Sequence, residues 1–576
     1  MLKYFKKEDN NNEKINNMIE FKLPIVYLED KYRISENIKN DLELLDICNN
    51  SLYNNIISST ENTSTKLVNQ WGEYYTTNKE FLKDYQLFLK NYKPISDRDN
   101  FNIKNIEEII NEIDNETGFY EKYKFIDIDY FKYLNKSSSV LQILTIYNLT
   151  SPVLSLIIPI IMLIMPFLII KIQGLSISFE IYVSTMIKLF KNHILGQLFS
   201  KFSEADISQK FFLLFSFGFY IFSIYQNIHS CITFYKNIYK IQNNLCNINN
   251  FIEVAINNID NLNKYCNKSF SKFLDVNNSI KLQLVSFRSE LEKIQLSKLR
   301  ITHIAKIGNI LKSFYELYNN LKYKEALKYC IDLEYYLLNI KNIQNNIVNK
   351  NLNFCKFTDD KTNFSGAYFA ALINKKHINN TYKLDKQILI TGPNAAGKTT
   401  ILKTTLFNII LSQQIGIGCY KDANINIYKY IYSYINIPDT SQRDSLFQAE
   451  ARRCKEILDS LSNSNTIDRH FCIFDEIYSG TNPSEAIASA YSFLNFIAKY
   501  KNLDYILTTH YVSLCKLLDK NKNIINKQMK ILNNNSTYKL KNGISDIKGG
   551  IKVLKELDYD ETIIKGANEI IDKINI

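Results

Sequence analysis

The stretch "LITGPNAAGKTTILK", Leu389–Lys403, is an apolar run, a glycine-bounded loop and a helix-compatible run in succession. Its core, Gly392-Pro393-Asn394-Ala395-Ala396-Gly397-Lys398-Thr399, meets the pattern G-x-x-x-x-G-K-[ST] at every fixed position, and Thr400 extends it into the helix. Glycines at those two places let the backbone close around phosphates. The N–H groups of the loop and the first helical turn supply partial positive charge. Lys398 is placed to reach the β- and γ-phosphates and Thr399 to ligate Mg²⁺, so the expected cofactors are ATP and Mg²⁺.

The neighbours of this loop carry the rest of the chemistry. In "FCIFDEIYSGTN", Phe471–Phe474 is an apolar strand, and Asp475 at its end is a candidate Mg²⁺ ligand. Glu476 beside it can orient and polarise water, which makes it the candidate catalytic base. A further strand, "DYILTTH", ends in His510, a second candidate catalytic group facing the γ-phosphate. After Asn351, short apolar runs ("QILIT", "FCIFDEI", "YILTTH") alternate with helical ones, which predicts an α/β domain with a mainly parallel sheet.

Upstream the pattern differs. "ENIKNDLELLDICNNSLYNNI" places Leu42, Leu45, Ile47 and Leu52 on one stripe and predicts an amphipathic helix. From Ser137 to Ile170 there is no charged residue, and "SPVLSLIIPIIMLIMPFLII" has the length that crosses a hydrocarbon core. A second uncharged stretch runs from Phe211 to Tyr235. Two spans make a candidate hairpin with both termini and the ATP site on the cytosolic side. The intervening Lys171, Lys188, Lys191, Lys201 and Lys210 leave the charge rule undecided. The competing expectation is a pair of buried core helices, for a cytoplasmic or nuclear protein. Beyond Lys236, "NNFIEVAINNIDNLNKY" and "LVSFRSELEKIQLSKLRITHIAKIGNILKSFYELYNNL" predict long antiparallel helices. The fold class expected is therefore α plus α/β, multidomain. Residues 1–136 form a helical region, 137–235 the candidate transmembrane hairpin and 236–350 a long-helix lever. Residues 351–540 form the phosphate-loop domain, and 541–576 a helical dimerisation segment.

Composition bounds this picture. Over 576 residues, 46% are hydrophobic and 22% charged, enough for substantial cores. The net charge of +12 permits nucleic acid or an anionic membrane surface as partner. Ten Cys without a CxxC pair, distant in sequence from the six His, argue against a zinc site and fit a reducing compartment. Met1 is followed by "LKYFKKEDNNNEK", which lacks the apolar core of a signal peptide.

The series "TGPNAAGKTT", "LSQQIGIGCYKDA", "DSLFQAE", "DEIYSGTN" and "TTHY" resembles the MutS family, specifically over residues 385–570 and more loosely over 30–135 and 236–350. The resemblance implies a homodimeric ATPase whose helical core contacts double-stranded DNA. It also implies that Asn394 touches nucleotide phosphate, and that Ser445 of the signature Ser445-x-Phe447-x-x-Glu450 reaches the γ-phosphate of the partner subunit in trans. The tail from Tyr538 to Ile570 resembles the family's closing, dimer-forming segment. Two departures stand out. Arg443 occupies a position where the family has Gly, and the "SGTNPSEAIASAYSFL" run is closer to a membrane-associated branch without the mismatch-recognition domain. Mismatch readers use a presented Phe-x-Glu wedge. Phe119-Tyr120-Glu121 has too little chain after it for that domain, and Phe314-Tyr315-Glu316 lies in a predicted helix. The alternative is an ATP-driven membrane module similar to ABC proteins, but no LSGGQ-type signature lies between Tyr420 and Phe471.

Overall fold

The computed structural model describes residues 19–45, 51–57, 65–95, 103–174, 178–192, 196–197, 206–292, 306–435, 445–532, 535–545, 554 and 557–574. The chain folds as two compact units. One comprises Met1–Ile19, Asp97–Asn257 and Ser279–Ile331, and the other Glu20–Ser96, Asn258–Asn278 and Asp332–Ile576.

The first unit is helical. Its long elements are α1 (Ser138–Ile172), α2 (Phe179–Asn192) and the part of α3 (Ile207–Tyr265) that precedes Asn258. Among the described residues, Ser138–Ile158 and α3 are the helices long and apolar enough to cross a membrane. Their apolar side chains do not make a core. Ile143, Val153, Leu156 and Leu168 are 67%, 56%, 52% and 44% exposed, and Phe211, Phe212, Phe215 and Phe219 are 59–75% exposed. Pro152 sits inside α1 without ending it, as membrane-type helices tolerate. Beyond the apolar stretch the pattern reverses, and Phe234, Ile238, Ile241, Leu245 and Ile248 of α3 are buried.

The phenylalanines of both Phe-Tyr-Glu triplets belong to this unit's core. Phe119 and Phe314 are each 2% exposed, their rings lie 5.5 Å apart, and Phe119 stacks on Tyr318 at 3.6 Å. Neither phenylalanine is presented for intercalation. The helix expected from Leu284 to Leu321 is interrupted. Ser271–Glu292 and Ile307–Asn319 are helical, residues 293–305 lie outside the described set, and a new helix, Leu321–Val348, follows Asn320. Asn320 breaks the run by leaving helical geometry and accepting from the N–H of Lys322 at 3.1 Å.

The second unit is built on a six-stranded sheet of β1 (Gln387–Thr391), β2 (Tyr430–Tyr434), β3 (His470–Asp475), β4 (Leu503–Thr509), β5 (Ile524–Leu532) and β6 (Asn535–Asn542). The spatial order is β2-β3-β4-β1-β5-β6, parallel except for the β5–β6 hairpin. Continuous apolar runs suit strands covered on both faces, and every residue of β1 and β4 is buried. The helices α4 (Lys398–Ile415), α5 (Leu446–Asn463) and α6 (Pro483–Ile497) accompany this sheet. A four-stranded sheet lies earlier in the same unit, with Asn363–Ala367 at its centre beside Asn380–Lys383.

The N-terminal segment completes this body rather than standing apart. Tyr53 donates to Gln414 at 2.8 Å, and Gln414 donates to the Trp71 and Tyr74 carbonyls at 2.6 and 2.8 Å. Gln86 donates to the carbonyl of Gly416, the left-handed C-cap of α4, at 2.6 Å. The stripe expected from Leu42 to Leu52 is not one helix. Glu36–Asp41 ends at Leu42, Glu43 turns the chain in the left-handed region, and residues 46–50 are outside the described set. Tertiary demands override the local pattern here: Leu42, Leu44 and Leu52 are all buried, and the Asp41 carboxyl takes a hydrogen bond from Ser433 on β2.

Candidate functional site

Parallel strands place their C-terminal ends at one edge of the sheet, where ligands bind in open α/β folds. In register, Asp475 of β3 pairs with Thr508 of β4, and Thr509 of β4 pairs with Thr391 of β1. The loop leaving β1, the acidic pair leaving β3 and the histidine leaving β4 therefore converge without any long side chain having to search for its partner.

The loop is a backbone cradle. Gly397 has φ +91° and Ala395 +57°. A Cβ on Gly397 would lie 3.1 Å from the ring of Tyr538, and one on Gly392 3.1 Å from Met529 Cβ, so both close approaches depend on glycine. Lys398, 6% exposed, donates to the carbonyls of Gly392 and Pro393 at 3.0 and 3.3 Å. Burial lowers its pKa, while the carboxylates of Glu476 and Asp475 oppose that shift. Asn394, Ala395 and Thr400 are exposed along the rim.

Asp475 is held at both oxygens. Thr399 Oγ1 donates to Oδ2 at 2.7 Å, and the Thr508 hydroxyl bonds Oδ1. A threonine hydroxyl beside a carboxylate, with phosphates and water to fill the remaining positions, is a donor set that fits Mg²⁺. Among the described residues, no group of three or more His, Cys, Asp and Glu forms an all-protein metal cage.

Glu476 adopts φ +53°, and its N–H donates to Thr508 O at 3.0 Å. Its carboxylate lies 2.9 Å from His510 Nε2. The hydrogen bond from His510 holds the Glu476 carboxyl below the ordinary range against the opposing effect of burial, and the charges of His510 and Lys398 add to it. The same Nε2 is 3.0 Å from Lys398 Nζ. One ring nitrogen can serve only one of these neighbours: as N–H it donates to Glu476, and as a bare nitrogen it accepts from Lys398. His510 thus stands between the Lys398 ammonium and the Glu476 carboxylate.

Ser445 is exposed at the N-cap of α5. It accepts from the N–H of Gln448 at 3.3 Å, while Gln448 Oε1 accepts from Ser445 N at 2.9 Å, a reciprocal capping box. Arg443 lies outside the described residues.

Beside Gly397 and Thr400 opens a cavity of about 220 Å³ lined by Tyr368, Leu372, His377, Ile378 and Tyr538 among others. Tyr368 and His377 are stacked at 3.9 Å and 12°. Asn380 fixes the Tyr538 strand across it, donating to Tyr538 O at 3.0 Å and accepting from Leu540 N at 2.8 Å. Spacing did not reveal this pocket, whose walls come from segments more than 150 residues apart.

Residues 388–575 match the family model for MutS domain V. Over this part the chain is similar to MutS domain V. Among its relatives are the Endonuclease MutS2 of Staphylococcus saprophyticus, 29% identical over 38% of this chain and 28% of that protein, and the DNA mismatch repair protein MutS of Bacteroides fragilis, 29% identical over 35% and 24%. The DNA mismatch repair protein MSH3 of Candida albicans is 30% identical over 35% of this chain and 20% of its own length. The chain thus spans between 20% and 28% of these relatives. Within the matched residues lie the cradle, the acidic pair, His510 and Ser445.

Proposed function

We propose that this chain is a MutS-type ATPase that binds and hydrolyses ATP as a homodimer and couples the cycle to double-stranded DNA. The observation that carries the reading is the convergence of Lys398, Thr399, Asp475, Glu476 and His510 on one glycine-lined loop at the sheet edge. The loop N–H groups and Lys398 hold the triphosphate, and the stacked Tyr368–His377 pair and Tyr538 wall the space for the base. Thr399 and Asp475 hold Mg²⁺, which when bound neutralises phosphate charge. Glu476 orients the attacking water, with His510 fixing its carboxylate. Ser445, exposed on its capped helix, serves the site of the second copy.

The relatives' names tie them to DNA mismatch repair and endonuclease action, and the +12 charge favours phosphate contact. Mismatch reading through either Phe-Tyr-Glu triplet is excluded from the proposal because both phenylalanines are core residues.

We further propose that α1 and the first half of α3 lie in a bilayer. The exposure of Ile143, Val153, Phe211 and Phe212 favours lipid over a soluble core, and Tyr130 and Tyr133, 88% and 65% exposed just before α1, suit a membrane interface.

Fractionation with a carbonate wash, followed by ATPase and duplex-binding assays on the fraction that holds the protein, tests both parts. Protein retained in the pellet, with Lys398-dependent turnover and a salt- and nucleotide-dependent duplex affinity, is expected. Release into the wash removes the bilayer assignment. Turnover without duplex binding at low salt favours the ATP-driven membrane module instead.

A further inference from the structure

Glu450 is 2% exposed. It sits on α5, a turn and a half beyond Ser445, beside Tyr434 of β2, and it takes three hydrogen bonds from the turn that follows the acidic pair. Ser479 N and Oγ donate to Oε1 at 3.1 and 3.0 Å, and Gly480 N donates to Oε2 at 3.1 Å. That turn is unusual in its backbone. Glu476 and Tyr478, neither a glycine, have φ +53° and +60°, a conformation that L residues rarely adopt and that persists only where the surroundings impose it. The same helix presses on the turn: a Cβ at Gly480 would fall 2.7 Å from Leu446 Cγ and from Phe447 N. The Phe447 and Tyr478 rings meet at 5.7 Å, and the Tyr434 hydroxyl accepts from Tyr478 N at 3.3 Å.

We infer that Glu450 is a positioning residue, through which helix α5 sets the backbone of the 476–480 turn and hence the reach of the Glu476 carboxylate. The inference rests on the ATPase reading and adds a consequence to it. The helix that presents Ser445 at the surface is hydrogen-bonded to the turn bearing its own chain's water-orienting carboxylate, so a displacement at Ser445 is felt at Glu476. Nucleotide binding, carried by the loop after β1, does not pass through Glu450. Loss of Glu450 should therefore act on the hydrolytic step and spare the affinity for ATP.

The test uses the full chain with Glu450→Ala, Glu450→Gln and, as a control on the exposed face of the same helix, Glu456→Gln. Each is measured for ATP affinity with a fluorescent analogue, for kcat and KM, and for melting temperature. Glu450→Ala should lower kcat about tenfold or more while ATP affinity stays within about threefold. Glu450→Gln keeps one acceptor oxygen, but its amide N–H₂ faces one of the donors, so its kcat should lie between alanine and wild type. Glu456→Gln should match wild type. A kcat for Glu450→Ala within about twofold of wild type, or a loss shared equally by affinity and kcat, overturns the inference. If the alanine variant does not fold, the glutamine variant of near-equal volume decides on the same criteria. A wild-type chain that binds no ATP removes the ATPase reading itself, and this inference with it.

Discussion

Replacing Lys398 with Met separates what the cradle does for the fold from what it does for the nucleotide. In the folded chain the ammonium is nearly sealed from solvent and makes two hydrogen bonds to its own loop, at 3.0 and 3.3 Å. Bonds from a charged donor contribute roughly 1.5–3 kcal/mol each. Against them stands desolvation, the main cause of the lowered pKa of Lys398. The sign follows: a lysine whose folded pKa is depressed is penalised while charged, and the penalty is relieved only as the pH rises from the folded value toward the ordinary one near about 10.4. At neutral pH the two effects largely offset, and methionine fills a similar volume without a charge. Folding stability should change by no more than about 1 kcal/mol, a melting shift of about 2–4 °C. Binding has no such offset. Losing charge-assisted contacts to phosphate in a half-buried site costs about 3–5 kcal/mol, or two to three orders of magnitude in affinity. Titration of a fluorescent ATP analogue together with a melting curve reads both quantities from one preparation. An ATP affinity within about threefold of wild type, or a melting drop beyond about 8 °C, would refute the assignment of Lys398 as a ligand-facing rather than structural cation.

Glu476→Gln should reduce kcat by about 10²–10⁴-fold with ATP affinity preserved, so that the ATP-bound dimer accumulates; single-turnover kinetics at wild-type speed would remove Glu476 as the base. Burial pushes the His470 imidazole down to about 4, so between about pH 6.5 and 4 the unfolded chain binds the extra proton. Stability should fall across that window as pH falls and level off below it, by about 2–4 kcal/mol for this group. Melting curves of wild type and His470→Gln over this range should diverge in slope, and identical slopes would show that His470 does not titrate as a buried group. Phe119→Ala removes a ring stacked on Phe314 and Tyr318 and should destabilise the helical unit by about 3–5 kcal/mol without changing duplex affinity. Retained stability in denaturant combined with lost mismatch binding would restore the wedge role that its burial denies.

The chemical residues were legible because their signals are local. A phosphate loop is eight consecutive residues with glycine where the backbone must bend, and Asp475, Glu476 and His510 each stand at the end of an apolar run that can only be a buried strand. Parallel strands then have no choice but to bring those ends together. The two apolar stretches were equally plain, since the absence of charge over so long a run is read by counting. What a local pattern cannot carry is the identity of a partner far along the chain. Leu42 to Leu52 has helical periodicity, yet Glu43 turns because Asp41 must reach Ser433, nearly four hundred residues away. The stacked Tyr368–His377 pair and Tyr538 come together only when the β5–β6 hairpin folds over the loop.

Sequence by itself determined which residues stand on the glycine-bounded loop and at the strand ends beside it, since spacing along one strand and one loop is a property of covalent geometry. Tertiary structure alone decided three things. It recruited residues 20–96 to close the far end of α4, it buried the phenylalanines of the two Phe-Tyr-Glu triplets, and it anchored Glu450 to the turn behind Glu476. Each of these depends on which desolvated group finds a partner in space, and burial is settled by the whole chain at once.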